Sequence, residues 1–166
     1  HHHQQSIVDQ REVGYDTTSF ADALRNAMRE APDVIMIGEV RDRETMEQAL
    51  IYAQTGQLCL ATLHANNANQ ALDRVLGFFP DTAHKQVLMD LAFNLKAVVS
   101  QRLLRHARSG RRVPAVEILL QTSHVSDLIL RGEVFKLKDA MKQGIDSGMT
   151  TFEESLLRLY HAGQIT

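Results

Sequence analysis

The sequence predicts an α/β core followed by a helical region. Three features carry that expectation. Two short unbroken apolar runs, 34–37 and 58–63, flank an amphipathic helical stretch, and helical apolar stripes broken by glycines fill the second half. Apolar runs without polar alternation want burial on both faces, as in a parallel sheet covered by helices. A strand–helix–strand unit of this kind makes its strands parallel, joined by a right-handed crossover.

Residues 6–13 read as an edge strand. A helix-start signal follows at 16–19, with Ser19 and Asp22 at capping-box spacing. Phe20, Leu24, Ala27 and Met28 recur at helical intervals until Pro32, which no helix interior tolerates. After the first buried strand, Met46, Ala49, Leu50 and Ala53 define a second helix, with Gly56 where a C-cap belongs. Asn66, Asn67 and Asn69 suit a turn and the start of a helix beyond the second strand. Leu88, Leu91, Leu95, Val98 and Val99 form one long helical stripe. A basic loop spans 105–112, and 113–120 reads as a strand entered through a hairpin-like turn. Three short helices are expected around 125–130, 134–142 and 152–160, punctuated by Gly132, Gly144 and Gly148. The expected division is a core at 1–120 and a helical region at 121–166.

The length of 166 residues suits one well-packed domain with room for a small appendage. Eighteen basic and 20 acidic side chains leave a formal net charge of -2, which offers no strong field to nucleic acid or a membrane surface. No nucleic-acid partner is expected, since no RRM, KH or zinc-finger pattern occurs. Cys59 is the one cysteine, which leaves no disulfide framework and no CxxC metal site. No apolar run reaches membrane-spanning length and no signal peptide is visible, so a cytoplasmic setting is the default. His1, His2 and His3 read equally as tag or native residues, and both ends read as cuts in a longer chain.

Two polar residues follow the buried strands. Glu39 lies just past the first and His64 just past the second, so parallel strands bring both to the carboxyl edge, where open α/β sheets bind ligands. A carboxylate and an imidazole there suit positioning a water and sensing or stabilising a phosphate. Glu39 can equally cap the helix that begins near Arg41-Asp42-Arg43-Glu44. The run Ile35-Met36-Ile37-Gly38-Glu39, apolar residues ending in an acid, resembles a Walker B strand and favours the phosphate reading.

REVG at 11–14, ALRNAMREAPD at 23–33, IMIGEVRDRETMEQAL at 35–50, TGQLCLATLHANNANQALDRV at 55–75 and FFP at 78–80 together resemble the type IV pilus retraction ATPases. These form the PilT/PilU family of the secretion-ATPase superfamily. LATLHANNANQALDR and ILRGEVFKLKDAMK resemble its PilU branch more than PilT, and the resemblance covers nearly the whole chain. It implies a RecA-like P-loop NTPase core, of which this is the carboxyl-terminal part, working with ATP and Mg2+ in a homo-hexameric ring. The implied partners are a related retraction ATPase and an inner-membrane pilus platform protein, at the cytoplasmic side of the inner membrane. Glu39 matches the Walker B glutamate, a general base or water-orienting group that can also organise magnesium through water, with no direct metal ligand. Arg41 and Asp42 match the extension of that motif, and the resemblance implies a nucleotide-binding or inter-subunit role for Arg41. Arg25 and Arg29 match arginines that neutralise phosphate charge or bridge subunits, although alone they would read as a solvated helix face. His64 matches the second histidine of the family's His box.

The chain departs from the family at three places. Gln57 stands where members commonly have histidine, and it cannot become charged near neutral pH. Ser126 and Asp127 replace an Arg-Asn pair of PilT-type motors. No GxxxxGK[ST] loop occurs in the 166 residues, so there is no backbone nest or lysine for phosphates, and the isolated chain is expected neither to bind ATP tightly nor to hydrolyse it. The alternatives to a retraction motor subunit are a non-catalytic accessory of that motor and a pilus-assembly or type II secretion ATPase. The tetracysteine segment typical of the assembly branch does not occur.

Overall fold

The computed structural model describes residues 5–166 apart from the side chain of Asp146. His1–His3 lie outside the described residues. The chain divides into two compact units, at 1–61 and 62–166.

In the first unit, helix α1 (Phe20–Ala27) begins at Ser19, whose Oγ accepts the Asp22 backbone N–H at 3.1 Å. The Asp22 carboxylate instead takes the hydroxyls of Thr18 and Ser19 (2.8 and 2.9 Å). These bonds hold its pKa below the ordinary carboxylate range. A 3-10 turn, Met28–Glu30, and a left-handed Ala31 (φ 48°) end the helix before Pro32. Strand β1 (Val34–Ile37), helix α2 (Arg43–Gln54) and strand β2 (Leu58–Ala61) follow. The strands are parallel, in register from Val34↔Leu58 to Ile37↔Ala61. Tyr52 of α2 is fully buried, and its hydroxyl donates to the Leu24 carbonyl, tying α2 to α1.

Three expectations need correction here. Residues 6–13 form no strand: a turn closes through Gly14 N–H to the Thr17 carbonyl (2.8 Å), Val13 makes a single bridge to Thr17, and Ile7 is exposed. Strand-forming residues without a partner ladder stay irregular. β2 stops at Ala61, level with Ile37, the last residue of its partner β1, so Thr62 and Leu63 lie beyond the ladder. β1 also alternates, with Ile35 and Ile37 buried and Val34 and Met36 exposed, so one face is covered, not two.

The second unit starts with α3 (Ala68–Leu76), capped by Asn67, whose Oδ1 accepts the Gln70 N–H at 2.9 Å. Helix α4 (Asp81–Asn94) ends where Leu95 turns extended. The long stripe expected through Val99 therefore breaks. Leu91 is buried in α4, while Val98 and Val99 belong to strand β3 (Ala97–Arg105), opposite Leu119 and Ile118 of β4 (Arg112–Leu120). β-branched residues favour such cross-strand pairs over a helix surface. The antiparallel ladder runs from Ala97↔Leu120 to Arg105↔Arg112. The hairpin turn falls where the basic loop does, although its first strand does not stand out in the sequence.

Helices α5 (Ser123–Leu130), α6 (Leu137–Gln143) and α7 (Phe152–His161) occupy the expected places. Gly148 (φ 92°) makes the left-handed turn that returns the chain along β4. Thr150 then exchanges two backbone hydrogen bonds with Ile118 (2.8 and 3.0 Å), and Ser155 Oγ accepts the Val116 N–H at 2.9 Å. The open edge of β4 is covered in this way. Thr151 and Glu154 complete a reciprocal capping box on α7. The expected division at 120–121 falls inside this unit, at the end of β4.

Candidate functional site

Beyond β1 the chain runs through Gly38 and Glu39 to Asp42, the N-cap of α2, whose Oδ1 accepts the Thr45 N–H at 2.8 Å. Asp42 is thus the residue that caps this helix. The register Ile37↔Ala61 sets the carboxyl ends of both parallel strands at one edge, and Glu39 lies two residues beyond it. Arg41 folds back on Glu39, with Nε at 2.7 Å and Nη2 at 2.5 Å from the same oxygen, Oε2. The bond to the carboxylate, and then its charge, raise the Arg41 pKa above its ordinary value.

Arg25, on α1, pairs with Asp22 at 3.1 Å and is exposed. Arg29 is exposed in the 3-10 turn, so the two arginines expected on one helix face sit on successive elements with different periodicity. Gln57 precedes β2, and its Oε1 accepts the Thr55 hydroxyl at 2.6 Å. It therefore stands at the amino-terminal end of the strands, about 13 Å of strand length away from the edge that Glu39 follows. Burial raises the Cys59 thiol pKa above its usual value.

His64 is carried by the second unit, where it lines an open groove with Asn66, Gln70, Asp73 and Arg74. Ser126, at the position of the family's arginine, faces inward: its hydroxyl donates to the Ala92 carbonyl at 2.8 Å and ties α5 to α4. Asp127 pairs with Arg131 at 3.0 Å on α5.

A cluster that sequence reasoning passes over lies in the same unit. Glu117 of β4 is only 4% exposed, and its Oε1 accepts the Ala68 N–H at the start of α3 (2.9 Å). Arg102, Lys138 and Glu153 line the small cavity beside it. Lys138 is paired with Glu153, and the Arg102 guanidinium lies 4.3 Å from the centre of the Phe152 ring. The signal available was a lone carboxylate inside the apolar run 113–120, since a buried charge requires a partner. Among the described residues no three His, Cys, Asp or Glu side chains gather as metal ligands. No helix there is long and apolar enough to cross a membrane.

A parallel strand pair with a carboxylate beyond its carboxyl edge places that acid where open α/β sheets bind ligands. The chain belongs to the Type II/IV secretion system protein family, whose pattern matches residues 1–155. Over all 166 residues it is 57% identical to the type IV pilus ATPase PilU of Pseudomonas aeruginosa, covering 44% of that protein. It is 39% identical to the type IV pilus retraction ATPase PilT of the same organism, over all of this chain and 48% of PilT. A crystal structure of the pilus retraction motor PilT with bound ADP superposes on 96% of this chain and 45% of its own, with a TM-score of 0.88 at 44% identity. The expected α/β fold is therefore shared with a retraction motor, and the greater likeness to PilU than to PilT holds. The chain spans less than half the length of these relatives.

Proposed function

We propose that the whole protein is an ATP-hydrolysing motor subunit that drives type IV pilus retraction and twitching motility. The observation that carries this reading is the carboxylate of the GEVRD segment, Glu39, standing beyond the carboxyl end of a parallel strand. Glu39 serves there as the general base or water-orienting group for attack on the terminal phosphate. Arg25 and Arg29 neutralise phosphate charge within a site or across a subunit boundary, and His64 responds to the phosphate. ATP is used with Mg2+. Glu39 would hold the ion through water, and the ion would supply charge neutralisation on the phosphates. The subunits act as a homo-hexameric ring with a related retraction ATPase, passing force to an inner-membrane platform protein from the cytoplasmic side.

The test is Glu39→Gln in the full-length protein. Loss of a general base lowers ATP turnover by about 10²- to 10⁴-fold, with loss of twitching; undiminished turnover refutes the reading. A second reading, a non-catalytic accessory of the principal motor, draws on Gln57. Its side chain is committed to a local turn with Thr55, at the strand end away from Glu39. Twitching that survives Glu39→Gln favours that accessory role.

A further inference from the structure

We infer that Arg41 is a positioning residue for Glu39, acting through that carboxylate instead of touching phosphate or a neighbouring subunit. The inference rests on the reading of Glu39 as the group that handles the attacking water. Its basis is the geometry of four consecutive residues. Val40 is 3% exposed and anchors the segment in the first unit's core, while Asp42 is extended and fastened to α2 through its cap. Arg41 stands between these two anchors, two residues on from Glu39, and its side chain meets the Glu39 carboxylate.

Both Nε and Nη2 of Arg41 converge on Oε2 of Glu39. Two donors from one rigid guanidinium hold that oxygen in place, a convergence that a single ammonium does not reproduce. The Glu39 side chain is 22% exposed and that of Arg41 76% exposed. The carboxylate is therefore partly shielded, while the guanidinium lies over it from the solvent side. Arg43, the next guanidinium along, bonds Glu47 at 2.7 Å on α2. Because Arg41 is so exposed, its replacement leaves the core untouched.

The experiment uses the full-length protein with Arg41→Gln, Arg41→Lys, Glu39→Gln and the double variant Glu39→Gln/Arg41→Gln. ATP turnover, KM for ATP and the affinity for Mg-ADP are measured for each. Loss of carboxylate orientation lowers kcat by about 10- to 100-fold. KM and ADP affinity stay within about twofold of the parent, because the phosphate contacts are intact. Lysine, which keeps the charge but not the two-donor geometry, restores little. Adding Arg41→Gln to Glu39→Gln lowers turnover no further, since the residue to be positioned is already gone.

A rise in KM or a loss of ADP affinity at unchanged kcat makes Arg41 a nucleotide ligand and overturns the inference. Loss of the assembled ring by light scattering, full rescue by lysine, or an additive double variant also overturns it. Undiminished turnover in Glu39→Gln alone instead defeats the reading of Glu39 on which it rests, so the two failures are distinguishable.

Discussion

Glu117 is the buried charge on which the second unit leans, and replacing it by alanine should be costly. Its carboxylate, 4% exposed in the middle of β4, receives the N–H of Ala68, a residue with no exposed surface, from the first turn of α3. A hydrogen bond to a charged acceptor contributes about 1.5–3 kcal/mol, and its removal leaves the Ala68 donor buried and unmet. A carboxylate at a partly buried helix N-terminus adds up to about 1–2 kcal/mol through the helix dipole. Glu117→Ala should therefore cost about 3–4 kcal/mol. Glu117→Gln keeps an acceptor oxygen and gives up only the charge, at about 1 kcal/mol. Equilibrium urea denaturation followed by circular dichroism reads both. Amide hydrogen exchange in α3 shows whether the loss begins at that helix. A unit of this size loses about 4–8 °C in Tm per kcal/mol, so the alanine variant melts about 12–32 °C lower. If alanine and glutamine cost the same, or alanine costs nothing, the argument that the carboxylate caps α3 is wrong.

Two further outcomes are expected. The Lys138–Glu153 pair ties α6 to α7, and the bond from Lys138 holds the Glu153 pKa below its ordinary value of 4.5, while the bond to Glu153 holds Lys138 above 10.5. A lowered carboxylate pKa gives stability that is full above pH 4.5 and lost as pH falls through the lowered value; the raised lysine value gives stability lost as pH rises through it. Both side chains are largely exposed, so solvent screening holds the effect to about 0.5 kcal/mol. Lys138→Met should remove that much at pH 7 and almost none below pH 3 in parallel denaturation curves. The 166-residue chain on its own, which carries no GxxxxGK[ST] loop, should give no magnesium-dependent ATP turnover above background in a coupled phosphate assay; turnover at the rate of the full-length protein would refute this.

What the sequence makes legible is what local chemistry decides. Ser19, Asn67 and Thr151 sit at helix starts because their side-chain oxygens meet backbone donors a few residues away. The apolar runs at 34–37 and 58–61 become strands because both flanks carry turn residues. What decides β3 is not local. Val98 and Val99 continue the spacing of Leu88, Leu91 and Leu95, and only the ladder to Leu119 and Ile118, some twenty residues on, breaks the stripe into a helix and a strand. The same limit hides Glu117, whose partner is a backbone N–H 49 residues earlier. A backbone donor has no side-chain identity to read.

The site divides along the same line. Glu39 is legible because an acid ending an apolar strand must lie at a sheet edge, whatever the strand's partner. The position of Gln57 follows only from register: strands paired Val34↔Leu58 put the residue before β2 at the end away from Glu39. A titrating group lost at 57 is therefore not lost from beside Glu39. Any effect of the glutamine on Glu39 has to travel the length of the strands. Arg41 runs the other way. Its spacing from Glu39 is visible in the sequence, yet the family likeness alone points it toward nucleotide or a neighbour. Its place between the buried Val40 and the cap residue Asp42 accompanies a two-donor contact on one carboxylate oxygen. Arg41 is thus engaged with the candidate base itself.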